Sequence, residues 1–227
     1  MPDKKIFEMQ SVIYKRIVSI LGDNLKLFSF VGSSSTKSFI TNWSDIDILL
    51  VVNSYDDEQL FKVFELNSEF SIKIGISIFS IEEINNDRVD NKNLINLYLI
   101  KTGELVPQYI SSNLDFDKFS IGEHIIREKA MRAYYLSLIK NIVYMDDRAI
   151  DTRKFLKYCL NIIKMDLIEK GIIIRTYDEL ISELRKVNAP VLEDIINIIL
   201  SIPNVSYDDV CNIAKYIIRD ELNESNG

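Results

Sequence analysis

The segment that most constrains this chain runs from residue 31 to residue 52, where a glycine-serine pair and two aspartates lie between apolar stretches. Gly32-Ser33 ends one apolar run, and Asp45 and Asp47 stand two residues apart at the start of the next. Alternate side chains of an extended strand point to the same face. Asp45 and Asp47 are therefore predicted to project together, while Ile46 points into a core.

These residue types suit phosphate and metal chemistry. Two carboxylates held this close repel each other unless a cation lies between them, and their hard oxygen atoms suit Mg²⁺. A glycine-serine turn can bring backbone N–H groups and a hydroxyl close to a phosphate. The pattern is therefore typical of phosphoryl or nucleotidyl transfer, with Asp45 and Asp47 as metal ligands and catalytic residues.

The same segment resembles the signature of the DNA polymerase β-like nucleotidyltransferase superfamily, in which Gly-Ser or Gly-Gly follows one apolar strand and Asp-x-Asp opens the next. Gly32-Ser33 and Asp45-Ile46-Asp47 match that signature, and the resemblance covers roughly residues 5–105. It implies that Asp45 and Asp47 bind one or two Mg²⁺ ions around the triphosphate of an NTP.

The resemblance also implies a phosphate-binding segment. Gly32 and Ser33 are expected to contact the β- and γ-phosphates of the nucleotide. Thr36 and Lys37 follow in the same segment, and we expect them to add contacts to the phosphates. An acceptor hydroxyl would then become a nucleotidyl ester, with pyrophosphate released.

The chain departs from the superfamily at the third carboxylate, which usually lies on the next long strand and helps to activate the acceptor hydroxyl. Here the polar face of that strand carries Lys73, Gly75 and Ser77. Another residue supplies the base, or only the nucleotide-bound metal is retained, or catalysis is lost. The candidates for a displaced base are acidic residues elsewhere: Glu69, Glu82, Glu83, Glu104, Glu123 and Glu128.

The composition and the net charge of the chain limit the kinds of partner that we expect it to bind. The chain has 227 residues, 47% of them hydrophobic, and a formal charge of −7. The composition is that of an ordered globular protein, and the sequence shows no basic stripe. A long nucleic acid is therefore disfavoured as a partner, and a small cationic molecule or a protein is favoured. Cys159 and Cys211 lack metal-ligand spacing and are predicted to be small buried hydrophobes. Neither a signal peptide nor a membrane span is visible, so we expect a cytoplasmic protein.

Hydrophobic spacing predicts an α+β first half and a helical second half. In the first half it predicts helices over 5–21, 58–69 and 94–101, and a short helix or helical turn over 34–41. It predicts strands over 25–31, 46–52 and 71–80, and a short edge strand over 103–107. Ser80 and Glu83 form a predicted capping box. Beyond a linker near residue 112, helices are predicted over 121–145, 151–170, 176–187, 189–201 and 206–222.

We therefore predict a nucleotidyltransferase domain with a mixed sheet over residues 1–112 and an all-α helical bundle over 113–227. This layout resembles that of antibiotic nucleotidyltransferases such as the kanamycin and lincosamide enzymes. The resemblance implies transfer of NMP from an NTP to a hydroxyl of a small molecule. Two alternatives stay open: transfer to a protein or tRNA, as in toxin–antitoxin nucleotidyltransferases, and a catalytically degenerate nucleotide-binding protein.

Overall fold

A computed structural model of the chain describes residues 4–36, 39–40, 43–112, 114–117, 119–186 and 190–224. The chain divides into two compact units, Met1–His124 and Ile125–Gly227. The domain boundary that the sequence suggests, between residues 112 and 113, stays a prediction.

The first unit is built on a mixed sheet. Within the described residues its strands are β1 (Leu25–Val31), β2 (Ile46–Val52), β3 (Ile74–Ser80) and β4 (Tyr109–Ile110). They lie in the order β3-β2-β1-β4. β1 runs antiparallel to β2 and β4, whereas β2 and β3 are parallel. The predicted mixed sheet is confirmed, and β2 lies next to β3 within it.

The helices of this unit are α1 (Lys4–Leu21), α2 (Asp57–Glu69), α3 (Ile81–Asn85) and α4 (Asn91–Lys101). The buried faces of α1 and α2 share one hydrophobic cluster with the even-numbered residues of β2, from Ile46 to Val52. Because side chains alternate along a strand, Asp47 projects from the opposite face of β2. Ser80 and Glu83 form the predicted capping box at the start of α3.

Three predictions of local structure were wrong in their bounds or their position. β3 begins at Ile74, because its parallel pairing with β2 begins there. The edge strand is Tyr109–Ile110 instead of residues 103–107. Gly103 has a φ of +76°, a left-handed conformation that does not fit a strand. A 3₁₀ turn at Gly32–Ser35 takes the place of the helical turn expected over 34–41, of which residues 37–38 and 41 lie outside the described residues.

The second unit is helical in its described residues, as predicted. Its helices are α5 (Ile121–Met145, which begins in the first unit), α6 (Thr152–Glu169), α7 (Tyr177–Lys186), α8 (Pro190–Leu200) and α9 (Tyr207–Glu224). Cys159 and Cys211 are free and buried, as predicted, and burial raises the pKa of the Cys159 thiol. None of the helices, as far as the structure describes them, combines the length and the apolar character needed to cross a membrane.

Candidate active site

Asp45 and Asp47 lie at the start of β2. Ile46 and Ile48 are fully buried, whereas the two aspartates between and before them are partly exposed. The backbone N–H of Ile46 donates to the carbonyl of Lys73 at 3.0 Å, which fixes this end of β2 against the segment before β3. The alternation of partly exposed and buried side chains expected from the sequence is therefore present from residue 45 to residue 48.

Gly32 brings the turn after β1 against the Asp47 carboxylate. Its φ is +63°, in the left-handed region that favours glycine. A Cβ atom built on Gly32 would lie 3.1 Å from Asp47 Oδ2. Both the backbone conformation and the close approach therefore favour glycine at this position.

Two buried polar side chains hold the turn in place. The Ser34 hydroxyl lies 2.8 Å from the carbonyl of Val31 and 3.2 Å from that of Asp47, and it can donate to either. The Gln10 side chain, from α1, donates its Nε2 hydrogen to the carbonyl of Ser34 at 2.7 Å. These contacts tie the turn to β1, β2 and α1, so its position relative to Asp47 is fixed by three elements.

The carbonyl groups of the turn are also used locally. The Ser35 hydroxyl donates to the carbonyl of Gly32 at 2.8 Å. The backbone N–H and the hydroxyl of Thr36 both lie within hydrogen-bond distance of the carbonyl of Ser33. Lys37, predicted as a phosphate contact, lies outside the described residues. Because the carbonyls of Gly32 and Ser33 accept hydrogen bonds within the turn, the first N–H groups are the polar groups that a helical turn presents outward.

Two residues meet the other oxygen of Asp47, and neither contact was predicted from the sequence. Gly75 is its register partner on β3, and a Cβ atom built on Gly75 would lie only 2.6 Å from Asp47 Oδ1. Lys92 Nζ, from the first turn of α4, lies 3.3 Å from the same oxygen. No local pattern in the sequence identifies Lys92. Gln10 carried a signal that could have found it, because a polar residue stands on the apolar face of α1.

Three of the acidic residues proposed as a displaced base, Glu69, Glu83 and Glu104, have other partners. Glu69 pairs with Arg16 at 2.8 Å. Glu104 accepts a hydrogen bond from the Thr102 hydroxyl at 3.0 Å. Glu82 is exposed in the first turn of α3. The side chains of Glu123 and Glu128 lie outside the described residues.

Glu83, another candidate for the displaced base, is held by hydrogen bonds to Ser80 and Tyr55. It closes the capping box with Ser80 and accepts a hydrogen bond from the Tyr55 hydroxyl. Burial and the neighbouring Glu83 raise the pKa of Tyr55 to about 12. Burial acts to raise the pKa of Glu83, but the hydrogen bonds from Tyr55 and Ser80 outweigh it and lower that pKa. A carboxylate with a lowered pKa is a weak general base.

The comparisons with known proteins bear on the fold. Neither a protein-family model nor a curated protein sequence matches the chain. Among solved structures, the chain is similar to the spectinomycin adenyltransferase AAD(9) from Enterococcus faecialis, crystallised with ATP and spectinomycin. The two share 16% sequence identity with a TM-score of 0.60, over 93% of this chain and 98% of the other. The fold predicted from the sequence, a mixed sheet with helices followed by a helical region, is therefore confirmed, and the chain shares it with this adenyltransferase structure.

Proposed function

We propose that the chain is a Mg²⁺-dependent nucleotidyltransferase that moves NMP from an NTP to a hydroxyl of a small molecule. The observation that carries this proposal is the approach of the Asp47 carboxylate to the Gly32 turn, with Asp45 just before β2. A pair of metal ligands beside a phosphate-binding turn is the nucleotide half of such a site. The ATP and spectinomycin bound to the similar AAD(9) structure support ATP as donor and an antibiotic-like acceptor.

The donor set at β2 fits one divalent cation. Asp45 and Asp47 offer carboxylate oxygens, and Mg²⁺ commonly completes its octahedral shell with substrate phosphates and water. Gly75 supplies no third carboxylate, and no cluster of three or more His, Cys, Asp or Glu side chains is suitably placed for a metal among the described residues. A bound ion would neutralise charge on the triphosphate and on the transition state at the α-phosphorus.

The residues of the chain would then position the nucleotide. Asp45 and Asp47 bind the ion, and the backbone of Gly32 and Ser33 contacts the β- and γ-phosphates. Thr36 adds a hydroxyl, and Lys37 remains a proposed contact from the sequence. Because three elements hold the turn, little of its freedom remains to be lost when the phosphates bind, and such preorganisation favours affinity and rate.

One observation favours a second candidate function, a nucleotide-binding protein that no longer catalyses transfer. The position on β3 level with Asp47 is Gly75, so the carboxylate that the resemblance implies for activating the acceptor is missing there. Nucleotide binding without transfer is what this candidate predicts. Transfer to any acceptor excludes it.

Two measurements separate these functions. Calorimetry with ATP, GTP, CTP and UTP, with and without Mg²⁺, tests the nucleotide site, and we expect Mg²⁺-dependent binding of at least one of them. Incubation with an α-labelled NTP and a panel of aminocyclitol and aminoglycoside molecules, the protein itself and tRNA then locates the label. Label in a small molecule supports the proposal, and absence of any NTP binding contradicts both candidates.

The assigned roles of the two aspartates give the first mutational prediction. Asp45→Asn and Asp47→Asn should each lower label transfer by at least about a hundredfold, since even groups that only orient metal ligands commonly matter about ten- to a hundredfold. The matched control is Asp57→Asn, an exposed aspartate in the first turn of α2, which should transfer as wild type does. Wild-type transfer by either site variant contradicts the assignment.

A further inference from the structure

Lys92 is the residue of the site that neither the resemblance nor the comparison explains. It lies in the first turn of α4, where a positive charge faces the positive end of the helix dipole. Its ammonium lies 3.3 Å from Asp47 Oδ1, with 60% of the Lys92 side chain and 28% of the Asp47 side chain exposed. A pair this exposed contributes little to stability. The placement of Lys92 therefore calls for a reason other than folding.

Gly75 explains why this contact is possible. Asp47 Oδ1 lies 2.6 Å from the place that a Cβ atom on Gly75 would take, so any other residue there would displace the carboxylate. The missing side chain lets Asp47 lean across β3, where Lys92 meets the same oxygen. One carboxylate oxygen is thus bounded by a bare backbone on one side and a cation on the other.

We propose that Lys92 is a permanent counter-cation of Asp47. Its ammonium supplies the positive charge that a second divalent ion would otherwise supply in the proposed nucleotidyltransferase site. The inference rests on the proposed function and deepens it. A monovalent ammonium needs no third carboxylate, which agrees with glycine at position 75. It also competes with a divalent ion for Asp47 Oδ1.

This competition has a measurable consequence. A divalent ion alone must displace or repel the Lys92 ammonium, so the nucleotide-free protein should bind such ions weakly. A metal that arrives with the triphosphate brings negative charge that can in turn interact with Lys92. The proposal therefore makes Lys92 a positioning residue that couples metal binding to nucleotide binding.

The test is a titration of the full chain, free of nucleotide, with manganese(II) chloride, followed by the electron paramagnetic resonance signal of free Mn²⁺. Lys92→Met should bind Mn²⁺ about tenfold more tightly than wild type, because a repulsive charge beside the ion is removed. Lys92→Arg keeps the charge and should stay weak. The control is Lys62→Met, which removes an exposed lysine paired with Glu58 on α2 and should leave Mn²⁺ affinity unchanged.

The double variant Lys92→Met with Asp47→Asn should lose the gain, since the gain depends on the Asp47 carboxylate. Mn²⁺ affinity that is unchanged or weaker in Lys92→Met overturns the proposal, and so does a failure of every variant to bind Mn²⁺. Circular dichroism of each variant checks that it is folded, and Lys92→Gln provides a second neutral substitution if Lys92→Met is not.

Label transfer from an α-labelled NTP by the wild-type protein keeps the two proposals apart. Transfer together with unchanged Mn²⁺ affinity in Lys92→Met overturns the role of Lys92 and leaves the proposed function standing. Tighter Mn²⁺ binding in Lys92→Met without any NTP binding by the wild type supports the Lys92–Asp47 competition and removes the proposed function.

Discussion

Gly32 and Gly75 both bring bare backbone against the carboxylate of Asp47, but for different reasons. Gly32 has a φ of +63° and approaches Asp47 Oδ2, which lies 3.1 Å from where a Cβ atom would stand. Gly75 lies in the regular strand β3 and approaches Oδ1, with 2.6 Å for the equivalent distance. The first glycine is favoured by local conformation as well as by its neighbour. The second is required only by what packs beside it.

This difference shows when the structural role of a glycine can be recognised from the sequence. A turn glycine between an apolar strand and a polar segment follows a recognisable pattern. A strand glycine usually signals a bulge or a close approach by another group, and the strand itself does not say which group. Substitution at each position can therefore separate the two causes.

The largest effect is expected at Gly75. In Gly75→Ala the new Cβ overlaps Asp47 Oδ1, so the carboxylate turns away and loses its contact with Lys92. We expect Mg²⁺–NTP affinity to fall about tenfold or more, which is about 1.4 kcal/mol. The stability should change little, because the far end of a side chain moves and alanine suits a strand better than glycine. Calorimetry and thermal unfolding measure the two quantities.

The matched control is Gly122→Ala, at an exposed glycine of α5 where an added Cβ atom would have no heavy atom within 4 Å. It should raise the free energy of unfolding by up to about 1 kcal/mol and leave nucleotide affinity unchanged. Wild-type nucleotide affinity in Gly75→Ala would show that the position of Asp47 against β3 does not matter for binding.

A smaller effect on binding is expected at Gly32. Gly32→Ala places an L-residue in the left-handed region, which costs about 1–2 kcal/mol of folding free energy. The new Cβ also presses on Asp47 Oδ2, so we expect nucleotide affinity to fall about threefold, or about 0.7 kcal/mol. Urea denaturation gives the stability and calorimetry gives the affinity.

Gly22 offers a close control, since its φ is +48° and an added Cβ atom there would have no heavy atom within 4 Å. Gly22→Ala should therefore lose a similar free energy of unfolding without any loss of nucleotide affinity. If the two variants bind nucleotide equally well, Gly32 is needed for its backbone conformation alone.

The smallest effect on nucleotide binding is expected at Gln10, which anchors the turn that contains Gly32 through its hydrogen bond to Ser34. Gln10→Met removes the buried donor to the carbonyl of Ser34 and should cost about 1–3 kcal/mol of unfolding free energy. Nucleotide affinity should fall less than in Gly32→Ala, because Ser34 still ties the turn to β1 and β2. Lys15→Met, on the exposed face of α1, is the control and should change neither quantity. A Gln10→Met variant as stable as wild type contradicts the anchoring role.

Much of the fold could be predicted because its signals are local. Apolar residues recur at helical spacing in α1, and strands β1 and β2 begin and end at the residues that the sequence indicates. The Ser80–Glu83 capping box is a contact within a single turn, and it was predicted for the same reason. Two of the wrong predictions, the start of β3 and the position of the edge strand, lie where strand pairing decides the outcome. The edge strand β4 exists only because Tyr109–Ile110 pairs with β1.

The sequence by itself determined the Gly-Ser turn, the Asp-x-Asp pair and their order between two buried strands. Only the tertiary structure decided what surrounds Asp47. Lys92 lies 45 residues from Asp47 along the chain, and Gln10 lies 24 residues from Ser34. The Lys92 contact leaves no periodic trace, because it depends on the register of β2 with β3 and on the packing of α4, and the polar Gln10 on the apolar face of α1 does not by itself say which group it binds. The motif therefore indicates the chemistry, whereas the tertiary structure places the positive charge of Lys92 next to Asp47.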